Sequence, residues 1–301
     1  MFSKERSTPT ELRYFRYLRA RINFSEDEKQ YYLNLEKGFE GELQFDRWLK
    51  KALTADCLIL NDLLLDHNRS LFQIDSLLMF QNVIYLIDVK NFEGNFYLDN
   101  QQWHYISGKE SKNPLLQMKR AESLFRQWLQ KYGFTYTING RIVFVHPEFY
   151  LYNASSHLPL IFPNQLPRFS KQLNDTPSKT SQKHKRLAEL LISNHISESP
   201  NARIPDYDYL QLKKGVVCAR CYGFLTSKVS HWVCDACGYK EKHQDAVLRA
   251  VNEFKFLFPD KKLTTKAIYD WCALKGDKRT IRFILLKHFD RIGYGSSSHF
   301  V

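Results

Sequence analysis

Asp88 and Lys90 stand two residues apart in the apolar run Val83-Ile84-Tyr85-Leu86-Ile87-Asp88-Val89-Lys90. Residues i and i+2 of a strand share a face, so a carboxylate and an amine emerge side by side from a predicted core strand. Burying either charge alone costs several kcal/mol or forces it to neutralise. A chain keeps such a pair as a buried ion pair or as a site. Asp75 ends the preceding apolar run, in Gln73-Ile74-Asp75, and the short connection from Met79 to Asn82 predicts a hairpin that brings it alongside Asp88. Two carboxylates and a lysine are what metal-assisted phosphodiester chemistry uses. Mg2+ prefers hard oxygen ligands, keeps several waters and is usually held by one or two carboxylates plus a substrate phosphate. A metal held by Asp75 and Asp88 would polarise the phosphoryl oxygen and acidify bound water. Lys90 beside it can orient or deprotonate that water and offset developing charge. On these three residues alone, a plain Asp–Lys pair on an edge strand is an equal reading.

The chain must supply helices to frame such a strand. From Glu40, the positions of Leu43, Phe45, Trp48, Leu49 and Leu53 fall near helical spacing. Gly38 and Gly41 are expected to flank the turn entering this helix, which puts Glu42 in its first turn. Small residues there let backbone or a phosphate approach, and a helix N-terminus favours anions. A plainer role for Glu40 and Glu42, complementing the helix dipole, stays open. Pro114 opens a second helix through Leu124, Phe125, Trp128 and Leu129. Gln117 in its first turn is a candidate polar contact or a solvated cap.

Gly38-Phe39-Glu40-Gly41-Glu42, Gln73-Ile74-Asp75, Ile87-Asp88-Val89-Lys90-Asn91-Phe92-Glu93-Gly94 and Asn113-Pro114-Leu115-Leu116-Gln117 occur in this order. Together they resemble the nuclease-related domain family, a branch of the restriction-endonuclease-like superfamily with PD-(D/E)xK active sites. The resemblance covers roughly residues 30 to 135 well and continues more weakly to about 205. It implies an α/β fold, a mixed sheet flanked by helices, and a nuclease that depends on Mg2+ or Mn2+. By position it implies Glu42 as the helix-borne acid and a metal ligand, Asp75 and Asp88 as metal ligands, Lys90 as the catalytic lysine, and Gln117 as the polar residue of the following helix. The family usually carries Glu where this chain has Asp88, whose side chain is one methylene shorter.

A second signal lies past residue 215. Cys218-Ala-Arg-Cys221 and Cys234-Asp-Ala-Cys237 are two CxxC pairs separated by twelve residues. Four thiolates at this spacing suit a closed, structural tetrahedral Zn2+ site, and the segment resembles a zinc ribbon. Gly223 and Gly238 are expected to serve its knuckle turns, and His231, between the pairs, is not needed as a ligand. Zinc would supply the folding energy that about 30 residues cannot find in a core of their own. Beyond it, Ala246, Val247, Ala250, Val251 and Phe254 form one amphipathic helical stripe, and Leu263-Thr264-Thr265 opens a second helix through Ile268, Trp271 and Cys272. Gly276 is expected to break that helix and Asp277 to cap a third containing Ile281, Ile284, Leu285 and Phe289. Helix, short glycine-bearing turn, helix is the helix-turn-helix arrangement, whose second helix enters the DNA major groove. Lys278, Arg279 and Arg282 at its start are the candidate base or phosphate contacts. Many helical hairpins bind no DNA, so charge has to decide. Residues 211–301 hold 17 Lys and Arg against 8 Asp and Glu, most of the whole chain's net +12. Such a balance is the footprint of a polyanion, and nucleic acid, DNA first, is the expected partner. An anionic membrane surface fits less well, because no basic amphipathic helix with a large bare apolar face accompanies the charge.

At 301 residues the chain exceeds one compact core of usual size. The sequence divides into an N-terminal helical extension (1–30), a nuclease-related α/β domain (31–205), a zinc ribbon (211–242) and a helical, helix-turn-helix-like unit (243–301). Leu12 to Leu18 reads as a short helix, and Ser25, followed by acidic residues, caps another that leads into the first motif. Lys171 to Lys185, rich in Ser, Thr, Lys and Asn, reads as an exposed loop. No stretch approaches the ~20 apolar residues of a membrane span, and Met1 to Thr10 lacks a signal peptide's apolar region. A cytoplasmic location is therefore expected. Two other functions stay open: a DNA-binding or regulatory protein whose nuclease fold does not cut, and an RNA-directed nuclease. No heptad or exposed apolar stripe argues for a dimer, although cutting both strands of a duplex would make one natural.

Overall fold

Apolar runs rich in Leu, Ile and Val, bounded by turn residues, make the strands on which the candidate site is built. The computed structural model of the protein describes residues 2–100, 102–228, 231–274, 278–295 and 298–301. In chain order the first elements are β1 (Phe2–Lys4), α1 (Thr10–Leu18), α2 (Glu26–Ala52), β2 (Leu58–His67), β3 (Ser70–Met79) and β4 (Val83–Lys90). Then come β5 (Gly94–Asp99), β6 (Gln102–Tyr105), β7 (Glu110–Ser111), α3 (Pro114–Lys131), β8 (Thr137–Phe144), β9 (Phe149–Tyr152), β10 (Leu160–Ile161), α4 (Leu166–Asn174) and α5 (Gln182–Ser193). The last third holds β11 (Leu225–Ser227), β12 (His231–Cys234), β13 (Lys240–Lys242), α6 (His243–Leu257), α7 (Thr265–Trp271), α8 (Arg279–His288), β14 (Arg291–Ile292) and β15 (His299–Phe300).

The chain divides into two compact units. Met1–Thr8 with Leu33–Ala202 make the first, and Pro9–Tyr32 with Arg203–Val301 the second. The segment expected as one N-terminal extension over 1–30 is thus shared between them.

The first unit is a mixed α/β fold. Its six-stranded sheet has the order β1-β2-β3-β4-β8-β10, antiparallel at β2–β3–β4 and parallel at β1–β2, β4–β8 and β8–β10. One apolar core, with Ile84 and Leu86 of β4, packs under Trp128 and Leu129 of α3 and Leu187 and Leu191 of α5. A second core, with Tyr85, Ile87 and Val89 of the same strand, packs under Phe45 and Leu49 of α2 and Phe169 and Leu173 of α4. Both faces of β4 are therefore buried, and β4 is an interior strand, not an edge. By the strand's alternation Asp88 and Lys90 continue the Ile84–Leu86 face, the one that α3 covers. A smaller sheet, β7-β6-β5-β9, follows directly on Lys90 through Asn91–Glu93.

Two local expectations fail for tertiary reasons. Lys171 to Lys185 begins and ends in helix, with the loop confined to residues 175–181, because Phe169 and Leu173 anchor α4 on the core and Leu187 and Leu191 anchor α5. Gly38 and Gly41 do not flank a helix entry: α2 runs unbroken from Glu26 to Ala52, so both glycines and Glu42 lie in its interior. Ser25 caps this helix as expected, its hydroxyl accepting from the Glu28 N–H (3.3 Å) while Glu28 Oε2 accepts from the Ser25 N–H (2.8 Å). Gly41 has a packing reason instead. A Cβ there would stand 2.5 Å from Asn91 Cβ, whereas nothing lies within 4 Å of one placed at Gly38. The helix backbone and the chain leaving Lys90 touch at Gly41, and the Asn91 amide donates to Lys37 O (2.8 Å) beside it.

In the second unit β11, β12 and β13 form an antiparallel three-stranded ribbon. Helices α6, α7 and α8 bury Ala250, Val251, Phe254, Ile268, Trp271, Ile281 and Leu285, and β14 and β15 close as a hairpin. Thr264 caps α7, accepting from the Ala267 N–H (3.1 Å). Gly276 and Asp277, expected to break and cap the helices, lie outside the described residues.

The close approach at Gly41 predicts that Gly41→Ala lowers stability by about 1–3 kcal/mol through overpacking. Gly38→Ala, on the same helix, should be neutral or stabilising by up to about 1 kcal/mol. Urea denaturation of the two variants checks the contrast; equal effects would show that Gly41 is not at a tight contact.

Candidate active site and metal centre

The site forms where β3 and β4 part. Their ladder ends at the pair Ser76↔Ile87. Ile74 and Leu77 both belong to the core under α3, so the in–out alternation of β3 slips by one at Asp75–Ser76. On β2, between the partners Asn61↔Ser76 and Leu63↔Ile74, Asp62 takes a positive φ of 52°. The parted strands leave the Val89 N–H without a ladder partner, and Asp75 Oδ2 accepts it at 2.8 Å. Asp88 continues β4 beside Asp75, and both are buried. Lys90 Nζ donates to Asp88 Oδ1 (2.8 Å) and to Gln117 Oε1 (3.2 Å). Gln117 reaches it from the first turn of α3, which Asn113 caps by accepting from the Leu115 N–H (2.9 Å).

Four of the five residues singled out from sequence therefore meet directly or through one neighbour: Asp75, Asp88, Lys90 and Gln117. Glu42 approaches from α2. Its carboxylate is held by Arg6, whose Nη1 donates to Glu42 Oε2 at 2.6 Å. Among the described residues Glu42, Asp75 and Asp88 do not form a set whose ligand oxygens all lie within 4.8 Å of one another.

Arg6 is the residue sequence reasoning missed. With its side chain 1% exposed, it donates to Glu42, to both oxygens of Asp46 (2.8 and 3.2 Å), to Asp75 O (2.8 Å) and to Ser76 Oγ (3.1 Å). Two residues earlier, Lys4 Nζ donates to Asn61 O and Asp62 O, both at 2.8 Å, on the slipped segment of β2. The pairing of β1 with β2 delivers both cations. Nothing in the composition of the first eight residues marks this role; only the strand pairing does.

The charges are in tension. Burial, reinforced by the charge of Asp75, pushes the Glu42 carboxyl up to about 8 although Arg6 pulls the other way. Burial pushes Asp88 up to about 7, against the pull of Lys90 and with the push of Asp75. Burial works against a charged Lys90, yet the carboxylates of Asp88 and Asp75 hold its pKa above the ordinary lysine value. Lys90 is accordingly an ammonium at neutral pH. Asp88 Oδ2 is buried and has no hydrogen-bond partner among the described residues. An orphaned carboxylate oxygen next to a second carboxylate calls for a proton or a cation. That donor set fits a hard divalent ion such as Mg2+.

The family model described as nuclease-related domain (NERD) matches residues 37–145, a span containing Glu42, Asp75, Asp88, Lys90 and Gln117. Over this segment the chain is similar to the nuclease-related domain family. No curated protein and no solved structure gives a significant match. Arg6 lies outside the segment that matches the nuclease-related domain.

In the second unit Cys218, Cys221, Cys234 and Cys237 bring their sulfurs within 4.8 Å of one another, and they are the one set of this kind among the described residues. The cross-pairs Cys218–Cys237 and Cys221–Cys234 stand 3.7 and 3.4 Å apart, near the ~3.8 Å implied by tetrahedral bonds of about 2.3 Å to zinc. His231 is not part of the set. The first knuckle uses Tyr222 (φ 61°), not Gly223, for its left-handed residue; the second uses Gly238 (φ 71°). Arg249 of α6 binds Glu241 of the ribbon through Nε (3.1 Å) and Nη2, and also donates to Val217 O. Ribbon and helices therefore share one structure. Arg21, 1% exposed, binds Glu253 of α6 (2.8 and 2.7 Å) and lies over the Trp271 ring at 3.8 Å. Cys57 and Cys272 are buried elsewhere. Among the described residues no helix is long and apolar enough to cross a membrane.

Because folding raises the Glu42 and Asp88 carboxyls, the native state binds more protons than the unfolded chain between the ordinary carboxylate range and about pH 8. The stability these groups contribute is full below that window and falls as pH rises through it. Thermal melts in Mg2+-free buffer with zinc retained should show this decline, and added Mg2+ should raise the melting temperature more at pH 8.5 than at pH 5.5. A Mg2+ effect independent of pH would contradict the assignment. Separately, stripping zinc should release about one Zn2+ per chain and unfold the ribbon, seen as lost protection of the β11–β13 amides in hydrogen exchange.

Proposed function

We propose that the first unit is a Mg2+-dependent nuclease acting on DNA and that the second unit, with a structural Zn2+ in its four-cysteine centre, binds the nucleic acid. The observation carrying this reading is the orphaned Asp88 oxygen next to Asp75 with a charged Lys90 alongside, where the sheet opens. Asp75 and Asp88 would hold the metal, and Glu42 would join its shell through water in exchange for its bond to Arg6. A bound Mg2+ would polarise the phosphoryl group and acidify the attacking water. Lys90, kept as an ammonium by the two carboxylates, is suited to orienting that water and offsetting charge on the phosphoryl oxygens, more than to removing a proton. Gln117 positions Lys90 by accepting from Nζ. Lys278, Arg279 and Arg282 contribute phosphate or base contacts from the start of α8, and a cytoplasmic setting fits a chain of this kind.

A second reading, a nucleic-acid-binding protein that does not cut, is favoured by Arg6. It occupies Glu42, and the shorter Asp88 stands in place of the family's usual Glu.

Supercoiled, linear and single-stranded DNA, with RNA in parallel, incubated with Mg2+ or Mn2+ separates the readings. The nuclease predicts metal-dependent cleavage, reduced at least about 100-fold in Asp88→Ala and Lys90→Ala with binding retained. Equal cleavage in those variants would refute the mechanism. Binding without cleavage in either metal, with activity appearing in Asp88→Glu, would establish the second reading.

A further inference from the structure

The parallel strand pair that carries the candidate site continues beyond it. β4 and β8 run side by side up to Lys90↔Phe144, and β5 and β9, which follow them in the chain, pair again in parallel from Gly94↔Phe149 to Tyr97↔Tyr152. Two hydrogen bonds hold the passage from one sheet to the other: the Val145 N–H donates to Lys90 O (3.1 Å) and the Gly94 N–H to Glu148 O (2.8 Å). Between them Glu93 binds Lys37 of α2 (2.7 Å). The small sheet β7-β6-β5-β9 is therefore an ordered extension of the strand bearing Asp88 and Lys90. Asn95 lies five residues past Lys90, at most about 18 Å of extended chain.

The two faces of this sheet carry different residues. Phe96, Trp103 and Phe149 are buried on one face, with Phe149 stacked on Phe144 of β8 (3.9 Å between ring centroids). By alternation the other face presents Asn95 and Tyr97 of β5, His104 of β6, and Tyr150 and Tyr152 of β9. His104 pairs with Tyr97 and Tyr97 with Tyr152, so three rings form a row across three strands. Tyr97 and His104 are stacked, 5.1 Å apart and 18° from parallel, and the Tyr152 hydroxyl donates to Asn95 Oδ1 (3.4 Å). Tyr150 and Tyr152 are 57% and 53% exposed. Tyrosine suits a strand by propensity, but propensity acts residue by residue and does not gather four rings on the open face of a sheet continuous with the site. The charged side chains that the paired strand residues add to this face are Asp99 and Glu110, which draw no phosphate. What the face can hold is a flat ring.

We propose that this face is a stacking platform for the unpaired bases of single-stranded DNA, with Tyr150 and Tyr152 as its principal stacking residues. A four-stranded sheet with aromatic side chains on its open face stacks two or three bases in this way. Such contacts are sequence-tolerant, because every base has a π-face. The proposal rests on the nuclease reading of the first unit and deepens it: the substrate has a single-stranded segment next to the scissile phosphate, held where the strand enters or leaves the Asp88–Lys90 site.

The test is anisotropy of a fluorescein-labelled single strand of about 15 nucleotides with the full chain, zinc retained and Mg2+ omitted, across a salt series. The Tyr150→Ala/Tyr152→Ala double variant should bind at least about fivefold more weakly, with the log–log salt slope unchanged because no phosphate contact is lost. Tyr150→Phe/Tyr152→Phe should keep most of the affinity, and Tyr150→Leu/Tyr152→Leu should not, since leucine keeps apolar area without a ring. On an abasic strand of equal length the alanine variant should match the unsubstituted protein. Unchanged affinity of the alanine variant, with the strand still bound, would overturn the platform and leave the nuclease reading intact. An equal loss on the abasic strand, or leucine serving as well as phenylalanine, would overturn stacking as the mode of binding. A larger loss on the matching RNA strand than on DNA would overturn the assigned occupant. A protein that binds no nucleic acid and cuts none with Mg2+ or Mn2+ would sink the underlying reading, and the platform with it.

Discussion

Buried negative charge at a break in a β-ladder is the constraint around which the first unit is organised. Asp75 and Asp88 lie side by side because β3 and β4 stop pairing at Ser76 and Ile87. The break would leave the Val89 N–H unsatisfied, and the Asp75 carboxylate accepts it. Burial, with the neighbouring Asp75 carboxylate adding to it, raises the Asp88 pKa, and Lys90 compensates only one of its two oxygens. Each local solution creates the next demand, and the remaining demand is for a proton or a cation. Such unresolved electrostatics mark sites where function sets the sequence.

The surrounding structure holds this tension in place. Arg6 gathers Glu42, Asp46 and the backbone of Asp75 into one network, and Lys4 ties the opposite strand through two carbonyls. β1 joins the sheet in parallel with β2, presents Lys4 from an ordered strand and places Arg6 two residues past the strand's end. On the other side, α3 covers the Asp88–Lys90 face, and its first turn offers Gln117 to the lysine. The contact of Gly41 with Asn91 fixes the chain immediately after Lys90.

The second unit meets its own stability problem differently. Its ribbon of three short strands is too small for a core, and four sulfurs stand where a metal can cross-link it. A buried ion pair, Arg21 with Glu253, stacks against Trp271 and closes the helical part. Buried pairs add little net stability but make an incorrect arrangement expensive, because either partner alone would be an uncompensated charge. With the Arg21–Glu253 charges paired inside, the unit's excess of lysine and arginine sets a positive field at its surface.

Short-range codes in the sequence determined a good deal. The two CxxC pairs are close along the chain, so their spacing alone dictates a four-sulfur site. The i and i+2 placement of Asp88 and Lys90 follows from strand geometry, and Ser25 and Thr264 announce helix starts because caps bond within three residues. Asp75, Asp88 and Lys90 could be placed together because a hairpin joins them. Tertiary structure decided what depends on distant partners. The run of α2 straight through Gly38 and Gly41 overrides the turn preference of glycine, since Phe45 and Leu49 bury one side of the helix. The slip at Asp75–Ser76 depends on pairing with β2, and helices within 171–185 depend on a core their own composition does not reveal. Arg6 reaches Glu42 and Asp75 across 36 and 69 residues of chain. No periodicity records such a contact, because charge complementarity operates through space and is fixed only when the sheet closes.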